Sequence, residues 1–282
     1  STITRIIGTD TTLASGTING TARLSDLDPL IFNVDLKIDS LKAFNNNLGQ
    51  LKASGGSTPE KSYSGKVSIK GASQDADIDA TYFENGDIKG NLDLKKLDIA
   101  VIDPFIKTII RGLKGTLSGE VAFGGNVSKP ELKGEILVNE LQGHYVDYNT
   151  FFRISDEKIQ LTNEGIVLQD FNAYDSTGNK ATVNGTILTT DYQNYNYDLK
   201  VKTDHFMALN KKSFPEQEIY GPAWISSDLR VSSNNNILMI KGDVKLDDKS
   251  ELNMEISSID TNVSNNEGII VFVDSIESAD SA

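Results

Sequence analysis

The sequence has no cysteine among its 282 residues. Disulfides and thiolate metal sites are therefore excluded. Histidine is scarce too: His144 and His205 stand far apart, and neither has a neighbour at a metal-site spacing. Aromatic residues make up 7% of the chain and hydrophobic residues 38%. Those values are low for a compact enzyme and suit an elongated protein with much surface per residue. Positive charge is in deficit, with 27 Lys and Arg against 40 Asp and Glu, and no basic patch interleaves with aromatics. A net charge of -13 repels nucleic acid, so no nucleic-acid partner is expected. It also gains nothing from the negative surface of a bilayer, so any handling of lipid must go through apolar surface. No apolar run approaches the roughly 18 residues of a membrane-spanning helix. The stretches Ile99 to Ile102 and Ile269 to Val273 are far shorter.

Catalytic signatures are missing as well. There is no Gly-x-Ser-x-Gly elbow and no P-loop. Ser155-Asp156-Glu157-Lys158 fits Ser-x-x-Lys by letter only and reads as a charged turn. Asp75, Asp77 and Asp79 lack the turn glycine and terminal Glu of a calcium loop and read as the wet face of a strand. Neither an enzyme nor a cofactor is expected.

What is present is alternation. Thr116 to Phe123, Asp87 to Leu94, Ala181 to Leu188 and Tyr195 to Val201 alternate apolar with polar residues, the period of strands with one dry and one wet face. Turn signals at Glu84-Asn85-Gly86, Gly124-Gly125-Asn126 and Ser176 to Asn179 separate them. Helical periodicity is confined to Asp103 to Gly112, where Asp103 can cap and Phe105, Ile106, Ile109 and Ile110 share a face, and to a short segment near 205–209. Asn45 to Lys61 reads as a polar loop. Trp224 falls on the wet face, at an edge or against a partner.

A glycine frame recurs along the chain, centred on Gly20, Gly65, Gly90, Gly119, Gly134, Gly185 and Gly242. Each glycine has an apolar residue two positions before it and a small or apolar one two after, so by parity it shares the dry face. Glycine weakens a strand interior, which demands a reason for the repetition. Either the sheet bends there, or the glycines leave room beside the aliphatic side chains. A larger unit also repeats: Asn-x-Asp-Leu-Lys opens the segments at 33, 91 and 196. Repeats of this length argue for a quasi-linear array.

Parity names the dry stripe as Val67, Ile69, Ile78, Ile88, Leu92, Leu94, Leu117, Val121, Phe123, Leu132, Ile136, Val138, Ile159, Leu161, Val183, Ile187, Leu199, Val201, Leu229, Val231, Ile240, Val244 and Leu246. Parity alone leaves open whether these residues form a closed core or an open trough.

The stretch "LKGTLSGEVAFGGNVSKPELKGEILVNELQG" (113 to 143) resembles the repeat of the TamB proteins, the translocation and assembly module component of the AsmA-like group. Residues 220 to 246 are similar to a diverged copy, and 251 to 274 to Bacteroidetes versions; the resemblance covers most of 60 to 274. It implies an all-β, elongated and repetitive curved sheet forming a U-shaped apolar trough (a β-taco), with one or two short helices. The stripe and the glycine positions would line a lipid groove. The implied partners are phospholipid, an outer-membrane barrel of the BamA type (TamA-like) and the rest of the same chain. The implied role is conduction of phospholipid between the two membranes in support of outer-membrane biogenesis. The implied location is the periplasm of a Gram-negative bacterium, within a longer chain anchored in the inner membrane. On this reading residues 1–59 are an N-terminal β segment, 60–274 the repeat region and 275–282 a polar tail. Two other readings stand beside it: a repetitive β-sandwich or β-solenoid surface or binding protein, and a scaffold for outer-membrane protein assembly.

Overall fold

A computed structural model describes residues 14–43, 46–59, 61–189, 191–212, 219–234 and 237–254. Residues 1–13 of the expected N-terminal β segment, the polar tail and most of the last repeat, from 255 onward, lie outside the described residues.

The alternation condenses into sixteen strands. They are β1 (Ala14–Leu27), β2 (Leu30–Ala43), β3 (Asn46–Ser57), β4 (Ser62–Lys70), β5 (Gln74–Phe83), β6 (Asp87–Asp98), β7 (Ile110–Asn126), β8 (Lys129–Tyr145), β9 (Thr150–Ile154), β10 (Glu157–Thr162), β11 (Gly165–Tyr174), β12 (Lys180–Leu188), β13 (Asn196–Lys211), β14 (Ile219–Asn234), β15 (Ile237–Leu246) and β16 (Asn253–Met254). They form one curved antiparallel sheet whose strands follow in sequence order. Two departures interrupt that order. β9 and β10 lie end to end beside β8, and β16 pairs with the start of β14. An antiparallel sheet in sequence order is neither a sandwich, whose second sheet would cover the first, nor a solenoid of stacked coils. Few apolar side chains are fully buried among the described residues, as expected of a sheet without a second layer.

Four local expectations are corrected. The polar segment Asn45 to Lys61 holds β3, which is paired along its length by β2 and β4. Its Asn, Gly and Ser content hid a strand that both neighbours template, with Leu51 and Ala53 on the dry side. The helix expected over Asp103 to Gly112 is one turn, α1 (Asp103–Ile106), preceded by a 3-10 turn at Ile99–Ile102. Asp98 caps that turn, accepting from the Ala100 N–H at 3.0 Å, while Ile110 already belongs to β7. The segment near 205–209 continues β13 through a bulge, with His205 at φ 53°. The turn expected at Gly124 to Asn126 falls later, because those residues still pair within β7 and β8.

Apart from one slip between Leu24 and Asp26 in β1, on the other side, the register shifts are not scattered. Pairing slips after Ile38 in β2, beside Asp75 in β5, after Leu94 in β6, near Lys114 in β7, after Leu168 in β11 and after Thr203 in β13. All of these lie on one side of a single row of paired residues, described below. Each bulge adds an unpaired residue, bends its strand and increases local twist. Ser40, Glu140, Asp170 and His205 take left-handed backbone angles at or near these slips. Strung across the sheet, the bulges crease it lengthwise into a bulged side and a smooth side.

Candidate functional site

The cross-strand register assembles the stripe from single residues. Starting at β1, the paired residues are Ile18, Ile38, Leu51, Ile69, Ala76, Leu94, Gly119, Ile136, Ile159, Leu168, Gly185, Leu199, Val231 and Ile240. Every member of this central row is apolar or glycine, from β1 to β15. At about 4.8 Å per strand the row runs roughly 60 Å.

A second row lies two residues away on the smooth side, about 7 Å along the strands. It reads Gly20, Leu36, Ala53, Val67, Ile78, Leu92, Val121, Gly134, Leu161, Ile166, Ile187 and Tyr197. A shorter third row holds Gly55, Gly65, Ala80, Gly90, Phe123 and Leu132. Ile88 flanks that row in β6, opposite Tyr82 and Gly125. On the bulged side Leu117 pairs with Val138, and Val183, Val201, Leu229 and Gly242 are paired in succession. Val244 and Leu246 end the stripe opposite Ser227 and Ile225.

Exposure along the stripe is uneven. Leu94 and Val121 are 6% exposed and Val138 2%. Val67 and Ile78 are 37% and 38% exposed, and Ile240 and Val244 both 59%, with Leu246 exposed too. The other residues of the stripe named from parity are half-buried. Sequence parity missed Ile18, Leu36, Ile38, Leu51, Ile166 and Leu168, although each alternates with polar neighbours or sits opposite a named residue.

The glycines answer to the backbone. At Gly134 (φ 158°) a Cβ would come within 2.0 Å of the Glu120 carbonyl oxygen, and at Gly119 (φ 148°) within 2.0 Å of that of Glu135. The two lie diagonally across β7 and β8, opposite Val121 and Ile136. The neighbouring strand's carbonyl occupies the space that a side chain would need, so the expected room beside the aliphatics is not what these glycines supply. Gly20, Gly185 and Gly242 meet the same obstacle, and Gly90 meets the Asp79 carbonyl and the Phe123 ring. Gly65 differs, because its nearest neighbour would be 3.4 Å away.

The opposite face is polar and tied by exposed ion pairs. Lys66 and Asp79 lie 2.8 Å apart, Lys158 and Glu135 2.9 Å, and Arg230 and Asp198 3.0 Å. Hydrogen bonds from Ser68 and Lys95 hold the Asp77 carboxyl below its ordinary pKa, and Lys202 does the same for Asp228. A shallow depression on this side is floored by Gly55, Gly65, Ala80 and Gly90 and walled by Lys66, Asp79, Lys89 and Asn91.

The bulged side is packed. Leu113, Ile154, Ala181, Met207 and Ala223 are buried there. The turn after β11 locks onto β13 through Asp175, whose carboxylate accepts from the backbone N–H of Thr177, Asn179 and Met207 at 2.8, 2.9 and 2.8 Å. Burial alone raises this pKa; the Met207, Thr177 and Asn179 hydrogen bonds outweigh it and hold the group below its ordinary value. Thr150 and Asn149 donate to the carbonyls of Ala208 and Asn210, tying the β8–β9 turn to β13 across the ends of β11 and β12. Trp224 is not at an edge. It sits half-buried in β14, with the Lys249 ammonium 4.5 Å above its ring. His144 packs edge-on against Phe151, and His205 contacts Asp204. Among the described residues no cluster of His, Asp and Glu is fit to hold a metal ion, and no helix is long and apolar enough to cross a membrane.

A family model described as "TamB C-terminal domain" matches residues 169–281, less than half of the chain, running from β11 past the last described strand. Searches among curated proteins and among solved structures found no significant match.

Proposed function

We propose that this chain belongs to the TamB family, whose C-terminal domain model matches residues 169–281, and that it is a periplasmic segment of a bridge that carries phospholipid between the inner and outer membranes. The coarser role, in the translocation and assembly module of outer-membrane biogenesis, follows from the family. So does association with a TamA-type outer-membrane barrel, within a chain anchored in the inner membrane. The single observation that supports lipid as the cargo is the central row: apolar or glycine in every strand from β1 to β15 except β9, on a face that no second sheet covers.

The energetics favour such a surface. At about 0.8 kcal/mol per methylene, a two-chain lipid with about thirty methylenes costs on the order of 20 kcal/mol to expose to water. An unbroken apolar stripe removes most of that cost and leaves the headgroup wet. The task needs no reactive group and no cofactor, so the protein acts as a conduit and not as an enzyme.

The test uses the exposed part of the stripe. The protein is purified from a Gram-negative host, its bound lipid is extracted, and mass spectrometry compares the parent with Val67→Asp/Ile78→Asp. Phospholipid on the parent and little on the variant, with unchanged circular dichroism, is the expected result. No phospholipid on either protein would remove the conduit reading.

A scaffold reading is favoured by one feature. β15 pairs with β14 over ten residues without a register shift, and no described strand covers its outer edge. Such an edge suits pairing with a client strand. A proline in β15 that blocks its outer N–H groups would abolish capture of unfolded barrel strands if that role operates.

A further inference from the structure

Along β4 and β5 the dry face changes character toward the smooth margin. It reads Ile69, Val67, Gly65, Tyr63 on β4 and Ala76, Ile78, Ala80, Tyr82 on β5. Val67, Ile78 and Tyr82 are exposed. Tyr63 stacks on Tyr82, with ring centroids 6.3 Å apart, and on Phe32 of β2 at 5.8 Å. Neither tyrosine hydroxyl has a hydrogen-bond partner among the described residues. Gly65 leaves a gap between Val67 and Tyr63, since a Cβ there would meet only the Ser54 carbonyl oxygen, at 3.4 Å. Tyr82 pairs with Ile88 of β6, and Ile88 belongs to a cavity of about 720 Å³. Ile88 and Phe123 of the dry face line that cavity together with Lys61, Lys89, Glu84 and Asp87. Two cations and two carboxylates thus share one opening with apolar residues, and none of the four takes part in an ion pair among the described residues. Aliphatic, then tyrosine, then balanced charge is also the order of polarity in a phospholipid, from chain through ester to headgroup.

We propose that this margin seats the headgroup of a zwitterionic phospholipid, one whose phosphate carries an ammonium group. The lipid then lies along the strands, across the length of the stripe. From Tyr63 to Ile69 the strand spans about 20 Å. One leaflet of a bilayer holds roughly 15 Å of hydrocarbon. An acyl chain therefore fits between the tyrosines and the central row. A tyrosine offers its ring to the chain and its hydroxyl to the ester, the division that enriches it at membrane–water boundaries. Lys61 and Lys89 suit the phosphate, and Glu84 and Asp87 suit the ammonium. The net charge of -13 opposes an anionic lipid. A zwitterion escapes that opposition and finds a partner for each of its charges in the cavity. This inference rests on the conduit reading and adds to it the class of headgroup and the direction in which the cargo lies.

Equilibrium dialysis of the purified protein tests this with three radiolabelled probes: lysophosphatidylethanolamine, lysophosphatidylglycerol, which lacks the ammonium, and glycerophosphoethanolamine, which lacks the chain. The lysolipids are kept below their micelle concentrations. The parent is expected to bind the ethanolamine lysolipid about tenfold more tightly than the glycerol one. Glu84→Gln/Asp87→Asn should abolish that preference, and Lys61→Ala/Lys89→Ala should weaken both lysolipids. The four side chains are polar and lie at the margin, so circular dichroism should be unchanged in both variants. The chainless probe should not bind, and binding as tight as that of the lysolipid would overturn a lipid seat. Equal binding of the two lysolipids by the parent, or a preference that survives Glu84→Gln/Asp87→Asn, would overturn the headgroup site and leave the conduit standing. No binding of either lysolipid would remove both.

Discussion

The two sides of the central row are built from the same alternating strands and end up in opposite conditions. On the bulged side, Leu113, Val138, Met207 and Ala223 are buried and the turn at Asp175 is bolted to β13. On the smooth side, Val67 and Ile78 remain exposed, with Val121 the buried exception. Composition does not separate them, since both are aliphatic and glycine-rich. The bulges do. An extra residue in one strand after another turns the bulged side inward, where its side chains find partners, and spares the smooth side. One side can therefore supply rigidity while the other stays available to a ligand.

Substitutions test this division, beginning with the crease between the sides. Gly119→Val, on the central row, drives a branched side chain into the Glu135 carbonyl at a backbone angle that L-residues rarely adopt. It is expected to cost more than about 3 kcal/mol, read as loss of the cooperative urea transition. Met207→Ala, in the packed side, is expected to cost about 2–4 kcal/mol by the same measurement. Asp175→Asn is expected to cost about 1–3 kcal/mol at neutral pH, because several buried donors lose their charged acceptor. The Asp175 pKa is lower folded than unfolded. Its contribution is therefore present above about pH 4 and lost as the pH falls through the folded value. The parent should lose stability on acidification in that window, and the Asn variant should lose less. Val67→Ala, on the open side, should cost under about 1 kcal/mol because its side chain is already partly in water. Gly65→Ala should be nearly silent, since the added methyl meets only ordinary contact distances. A large loss at Val67 or Gly65 would mean that the smooth side is a closed core.

Much of this was legible in the sequence. Strict alternation gave the strands from β6 to β8 and from β12 to β13, and their parity put the named aliphatic residues in register. The glycine frame was visible, but its cause was not: a carbonyl 2.0 Å from an absent Cβ belongs to the neighbouring strand and leaves no mark in the local sequence. β3 was hidden because Asn, Gly and Ser carry little strand signal on their own, and pairing from both sides overrode that. The bulges left a trace that alternation scoring reads as noise. Asp39-Ser40, Lys95-Lys96, Gln169-Asp170 and Asp204-His205 are doubled polar residues within strands, each at a slip in register. Beyond each doublet parity reverses, so Phe206, which pairs with Ile225 on the dry face but is out of phase with Leu199 and Val201, escaped a reading that assumed unbroken period two.

The central claim is that the dry rows are a lipid path. A photo-reactive residue placed in the full chain in cells, in turn at Ile69, Leu199 and Val231 on the central row and at Lys66 and Lys200 on the wet face, tests it most directly. Irradiation followed by detection of bound phospholipid should give adducts at all three row positions and none at the two lysines. Adducts at neither set, or equally at both, would contradict the account.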